Sequence, residues 1–236
     1  MNRYKVLLRE VISQSTLSDN ENITSGTVEF EVDLTVIPGQ YFQVWRDSDK
    51  NPLPIVSYTA SLFKERRLLL DQIPINWNPG ENLNLWGPLG KGFDLETGVN
   101  SVYMAAIEGN PVRLLPIISH ALAKGNSVSL FLDQPNTCLL ASMPVEIEIQ
   151  PLASLPEELD LAEHLYIDVA RRDLPRLRSL LSKRKYICPG QVLVRTDMPC
   201  AGIGDCQLCA LETQRGLKLT CKDGPVFRLE DLLNVV

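Results

Sequence analysis

Histidine is almost missing from this chain: the sequence holds two, His120 and His164. A metal centre built on imidazole, or a cluster ligated partly by histidine, therefore has almost no material. With no second ligand at useful spacing, each reads as an ordinary surface or helix residue. A basic excess is missing too. Lys and Arg number 23 against 29 Asp and Glu, a net charge of −6, which argues against binding nucleic acid through its phosphates. No apolar run approaches about 18 residues, so no membrane span is expected. The opening MNRYKVLLREVIS lacks the apolar core of a signal peptide and reads as a first strand. Repeats and low-complexity tracts are absent as well. What remains is ordinary: 44% hydrophobic residues over 236 positions, enough for one or two domains with a buried core plus a small module.

Metal-binding capacity lies instead with cysteine. Four of the six cysteines, Cys200, Cys206, Cys209 and Cys221, fall in the run MPCAGIGDCQLCALETQRGLKLTCKDGPVF with spacing C-x5-C-x2-C-x11-C. This is close to the plant-type iron–sulfur pattern of a short loop, a CxxC and a distant fourth thiolate. A [2Fe–2S] cluster is an anion with many sulfur acceptors. It needs backbone N–H groups aimed inward, and the small residues of Ala-Gly-Ile-Gly between the first two cysteines let the backbone come close. Zinc also takes four cysteines, but its structural sites pair two short hooks. Here the first gap is longer and the fourth cysteine stands alone, so the spacing favours iron–sulfur over zinc. A disulfide framework fits poorly with a large chain whose cysteines cluster locally, and thiols kept in a ligand pattern point to a reducing, cytoplasmic setting. Cys138 and Cys188 lie outside the motif and read as small, buried or partly buried apolar residues.

The fold expected is mixed α/β in three parts. Residues 1–97 read as an N-terminal antiparallel β-barrel. Segments such as YKVLLREVI, GTVEFEVDL, GQYFQVWRD, RRLLLDQI and ENLNLWG are short and rich in β-formers, and the turn signals SDNEN, PGQ, KNP and NPGE separate them. Residues 98–195 change character. SVYMAAI, SVSLFLD, EIEIQPL and HLYIDVA read as strands. PVRLLPIISHALAKG reads as a helix ending at Gly125, and DLPRLRSLLSKR as a helix with proline in its first turn. That alternation implies a parallel sheet. Residues 196–236 form the cysteine module.

The order of these parts, together with CAGIGDCQLC and CKDGPVF, WGPLGKGFDL at 86–95 and PGQYFQVW at 38–45, resembles one family. It is the electron-transfer subunit family of NAD-dependent dihydroorotate dehydrogenase, within the ferredoxin–NADP reductase superfamily. The resemblance implies a barrel that binds FAD, an α/β domain that binds a nicotinamide nucleotide, and a [2Fe–2S] cluster. Electrons would pass from NADH to FAD, through the cluster, to a flavin in a separate catalytic subunit serving pyrimidine biosynthesis. Carried onto this chain, the flavin site falls on Ser57 and on Gly87, Pro88, Leu89, Gly90 and Gly92; the cluster ligands fall on the four cysteines.

Two departures stand out. The family's flavin strand carries an Arg-x-Tyr/Phe-Ser-like motif whose arginine neutralises a phosphate. Here that strand is LPIVSYT, with Pro54 in the arginine's place, and Arg46 and Lys50 are the nearest cations. The nicotinamide turn is AAIEGNPVRLLP: only Gly109 remains, Pro111 replaces a second glycine and Glu108 adds repulsion. NAD(P)H binding is therefore not expected, and Arg113 reads as a solvated helix residue. Two functions follow. One is an electron-transfer subunit joining flavin to a partner oxidoreductase through a [2Fe–2S] cluster. The other is a degenerate accessory or scaffold subunit that keeps the cluster and has lost both nucleotide sites. A zinc-bound interaction module on the same scaffold is a third.

Overall fold

The computed structural model describes residues 2–12, 23–30, 34–48, 53–62, 67–107, 111–133, 143–182, 184, 187–200 and 202–233. The turn signals SDNEN and KNP lie outside them, as do Lys50, Glu108, Gly109 and Cys138.

Six antiparallel strands close the N-terminal barrel: β1 (Asn2–Ile12), β2 (Ile23–Glu29), β3 (Tyr41–Trp45), β4 (Ile55–Leu62), β5 (Arg67–Pro74) and β6 (Asn82–Leu89), in the order β1-β2-β5-β4-β3-β6. Period-two alternation makes this possible, because every second side chain points into the barrel. Val6 and Leu8, Phe42 and Val44, Leu68 and Leu70, and Leu83 and Leu85 do so, forming one apolar cluster. The intervening residues of β3, among them Tyr41 and Gln43, therefore face outward.

The second sheet contains β7 (Ser101–Ala106), β8 (Ser127–Leu132), β9 (Ile147–Pro151), β10 (His164–Ala170), β11 (Gly190–Arg195) and β14 (Val226–Arg228), in the order β14-β11-β10-β7-β8-β9. All neighbours are parallel except β11 with β14. Both faces are covered, as a parallel sheet requires. On one face α1 (Leu115–Ala123) packs with Met104 and Leu130. A short α2 (Leu155–Glu158) and α3 (Leu174–Leu181) pack with Ile167 and Val192 on the other. Gly125, at φ +80°, ends α1 as its sequence implies.

Two features of the sheet lie outside the sequence reading. Strand β11, GQVLVR, follows Cys188-Pro-Gly and is a full member of the parallel set. After the hairpin β12 (Ala210–Thr213) and β13 (Gly216–Leu219) and the single turn α4 (Thr220–Asp223), the cysteine segment returns as β14 along the edge of β11 and ends in α5 (Leu229–Leu233). The C-terminal segment is thus hydrogen-bonded into the central sheet. His164 also departs from expectation. It is 3% exposed on β10, its ring centred 4.6 Å from the Tyr166 ring and tilted 46° to it, not a surface residue.

Candidate metal centre and its surroundings

The four motif thiols come from three short segments of the C-terminal part of the chain. Cys200 and Cys206 flank a loop in which Gly202 (φ +75°) and Gly204 (φ +85°) take the left-handed conformation that only glycine adopts without strain. That turns backbone N–H groups toward sulfur. Burial pushes the Cys200 thiol up, but the N–H groups of Gly204, Cys206 and Gly202 and the Cys206 thiol outweigh it and bring Cys200 down to about 7. Cys209 and Cys221 are buried. Burial first, then the proton shared with Cys209 and the fields of Cys209 and Cys200, push Cys221 up to about 12. Thr220 ties these two segments: its N–H and its hydroxyl both donate to the Cys209 carbonyl, at 3.1 and 2.9 Å.

The Cys200 thiol interacts with that of Cys206 and the Cys221 thiol with that of Cys209, while Cys221 also feels the field of Cys200. Among the described residues, no group of three or more His, Cys, Asp or Glu side chains is gathered to hold a metal ion. Of the four, Cys206 is exposed while Cys209 and Cys221 belong to the large apolar cluster at the barrel–sheet junction. Cys188 lies elsewhere, buried on the opposite face of the sheet.

The glycines of WGPLGKGF hold this segment against the barrel. A Cβ on Gly90 would meet the Pro225 ring at 2.4 Å and the Gly224 carbonyl at 2.8 Å. The Lys91 N–H donates to that same carbonyl at 2.6 Å. A Cβ on Gly92 would meet Ile37 and the Pro38 carbonyl, and one on Gly87 the Phe42 ring. Leu89 is buried in the junction cluster and Pro88 is half-buried. Tyr41, on the outer face of β3, reaches the Cys221 carbonyl with its hydroxyl at 3.4 Å. Burial, then the fields of Cys221, Cys209 and Cys200, push its hydroxyl well above the ordinary tyrosine range.

Two side chains on that outer barrel face carry unspent polarity. Among the described residues, both carboxamide atoms of Gln43 and the hydroxyl of Tyr58 are buried without a hydrogen-bond partner. Gln43 pairs with Val56 and Tyr41 with Tyr58 across β3 and β4, so both unpartnered groups lie on one patch beside Tyr41. A buried unpartnered polar group costs about 1–3 kcal/mol, which makes the patch suited to a polar ligand.

Ser57 sits elsewhere in this scheme. It is fully buried; its hydroxyl donates to Asp71 at 3.0 Å and accepts from the Gln72 N–H at 3.1 Å. Asp71 also accepts from the Tyr58 N–H at 2.6 Å and from Arg113 at 2.8 Å. Arg113 then bonds Asp168 at 2.6 Å, and Asp168 bonds Arg195 at 2.7 Å. Arg113 is 4% exposed, so the expectation of a solvated helix residue is wrong. It lies in the helical turn Pro111–Leu114 that packs against β4, where Val112 joins Ala60 and Leu69 in a small apolar cluster. Isolated charges are indeed usually exposed; this one is paired on both sides by carboxylates distant in sequence. The Arg46 guanidinium is engaged on the barrel itself. It binds Glu81 at 2.7 and 2.8 Å and lies over Trp77.

A family model, the iron-sulfur cluster binding domain of dihydroorotate dehydrogenase B, matches residues 196–233. A probable dihydroorotate dehydrogenase B (NAD(+)) electron transfer subunit from Thermoplasma acidophilum is 27% identical over 88% of this chain and 85% of its own length. Its counterpart from Thermoplasma volcanium is 25% identical over 93% and 89%. Among solved structures, an NADH-dependent reduced ferredoxin-NADP oxidoreductase matches with TM-score 0.73 at 16% identity, covering 96% of this chain and 88% of that one. A ferredoxin-NADP+ reductase from Plasmodium falciparum matches with TM-score 0.58 at 10% identity over 78% and 92%. The chain thus has the ferredoxin reductase-like fold and resembles the dihydroorotate dehydrogenase B electron-transfer subunits over nearly its whole length.

Proposed function

We propose that the chain is an electron-transfer subunit that holds a [2Fe–2S] cluster on Cys200, Cys206, Cys209 and Cys221 and serves a catalytic partner of the dihydroorotate dehydrogenase kind. The observation that carries the proposal is the loop between Cys200 and Cys206, where Gly202 and Gly204 are turned so that backbone N–H groups meet the Cys200 sulfur, as an anionic cluster requires. The long first gap and the lone fourth cysteine favour an iron–sulfur cluster over zinc, whose structural sites pair two short hooks. The match of residues 196–233 to an iron–sulfur domain supports the same reading.

Bound there, the cluster supplies a one-electron carrier. The chain's own residues do the rest. Gly202 and Gly204 aim backbone donors at the anionic centre, Tyr41 and the buried Cys209 and Cys221 exclude water on the barrel side, and exposed Cys206 leaves an edge that a partner can approach. A flavin on the outer barrel face is supported by the Gln43 carboxamide and Tyr58 hydroxyl, buried there without a hydrogen-bond partner. The second reading, a cluster-bearing accessory subunit without flavin, is favoured by Ser57, whose hydroxyl is already committed to Asp71 and Gln72.

Anaerobically purified protein, assayed together for visible absorption, iron, sulfide, zinc and flavin, tests both. Two irons and two sulfides with a flavin band support the electron-transfer subunit. The same metal content with no flavin, and no uptake of added FAD, selects the accessory subunit. Zinc in a colourless sample overturns both.

A further inference from the structure

Parallel sheets bind ligands at the carboxyl ends of their strands, at the point where the strand order reverses. Here that point lies between β7 and β10. From β7 the chain steps to β8 and β9 on one side, then crosses back so that β10 and β11 extend the other. Arg113 follows β7, Asp168 lies near the end of β10, and Arg195 ends β11. These are the residues of the ion-pair chain, and it continues through Asp71 into the barrel.

We infer that this crevice is closed by the chain itself: Arg113 occupies the place a nicotinamide nucleotide would take and locks the α/β unit onto the barrel. Four observations support the lock. Arg113, Asp71 and Asp168 are each no more than 5% exposed, so the charges already neutralise one another away from water. The backbone is drawn in: Arg195 donates to the Ile107 carbonyl and the Ile107 N–H donates to the Asp168 carbonyl. The charge pattern also opposes a dinucleotide. Its phosphates would meet two arginines already neutralised by Asp71 and Asp168, and entry would strand those buried carboxylates without their partners. Apolar contact of Val112 with Ala60 and Leu69 seals the same junction. The inference rests on the electron-transfer reading and narrows it: a free nicotinamide does not deliver hydride at this crevice.

The test uses full-length, cluster-loaded protein. Equilibrium dialysis against NADH and NADPH is expected to show no saturable binding, and neither nucleotide is expected to bleach the cluster, while dithionite does. Saturable binding of either nucleotide overturns the lock. Failure of dithionite to bleach would instead count against the cluster, leaving the dialysis result to decide the lock. Amide exchange on the wild-type protein gives a second measure that needs no variant. The N–H groups of Tyr58, Gln72 and Ile107, bonded to Asp71, Ser57 and Asp168, are expected to exchange at the slowest rate found in the chain. Exchange about tenfold or more faster than the β10 amides would mean the junction opens and the lock is wrong. Arg113→Lys, which keeps the charge but loses the planar fork, is expected to speed exchange on β4 and β5 together; unchanged exchange in that variant also overturns the lock.

Discussion

Gly90 lies so close to Pro225 that no side chain fits between them: a Cβ would stand 2.4 Å from the proline ring. The contact fastens the end of the barrel to the cysteine segment, and the Lys91 N–H bond to Gly224 fixes its register. Gly90→Ala is therefore expected to lose about 2–3 kcal/mol from left-handed strain and steric conflict combined, with a fall in Tm of about 4–12 °C. Gly80→Ala is the control. Gly80 has φ +94° but nothing within 4 Å of its Cβ position, so it carries the backbone cost alone. Equal losses by thermal melting in the two variants would show that the Pro225 contact contributes nothing.

Tyr41 joins the barrel to the cluster segment from the other side. Its hydroxyl meets the Cys221 carbonyl and stands 3.0 Å from where a Cβ on Gly202 would be. Tyr41→Phe removes one long, buried hydrogen bond, worth about 1 kcal/mol. The variant is expected to assemble with unchanged iron and sulfide and to release them at a lower temperature than wild type. The loss of visible absorbance on heating reads this directly.

The iron–sulfur segment was legible because cysteine spacing is a local property of the chain, and Gly202 and Gly204 are turned as an N–H-rich loop requires. The parallel sheet was legible too, since runs such as SVSLFL and HLYIDV are continuous and apolar. Arg113 was not. Its partners, Asp71 and Asp168, lie 42 and 55 positions away, and no local pattern marks a lone arginine as buried. The glycines of WGPLGKGF were visible as a motif, but their neighbours Pro225 and Ile37 come from distant segments. Strand β11 went unread behind Cys-Pro-Gly, and β14 is only three residues long, below what periodicity can resolve.

Gln43 separates the two functional readings. If flavin covers the outer barrel face, the carboxamide has a partner in the loaded protein, and Gln43→Leu is expected to weaken FAD retention about 5- to 100-fold, with iron and sulfide unchanged. If the protein carries no flavin, the same substitution relieves an unpartnered buried group and is expected to raise Tm. Flavin content and melting on one preparation distinguish the outcomes.

Replacing the proposed ligands one at a time should divide the cysteines sharply. Cys206→Ser and Cys209→Ser are expected to lose iron and sulfide and to destabilise the C-terminal segment, because binding free energy there is folding free energy. Cys188→Ala is expected to keep both, since its thiol is buried on the other face of the sheet and burial pushes it up to about 11. Metal analysis that finds full iron in Cys209→Ser would remove that residue from the ligand set.

His164 gives the fold an acid-sensitive point. It is buried beside Tyr166 and Gln191, and burial lowers its proton affinity despite the opposing field of Glu96. The sign follows from linkage. Below the ordinary histidine value, near 6.5, the unfolded chain takes up a proton that the folded protein refuses, so stability falls as pH drops through that point toward the lowered folded value. His164→Gln cannot bind that proton. Between pH 7 and pH 5 its unfolding free energy is expected to fall less steeply than wild type, by at most one proton's slope, about 1.4 kcal/mol per pH unit. Urea melts across that range read the difference, and parallel slopes in the two proteins would show that His164 titrates alike folded and unfolded.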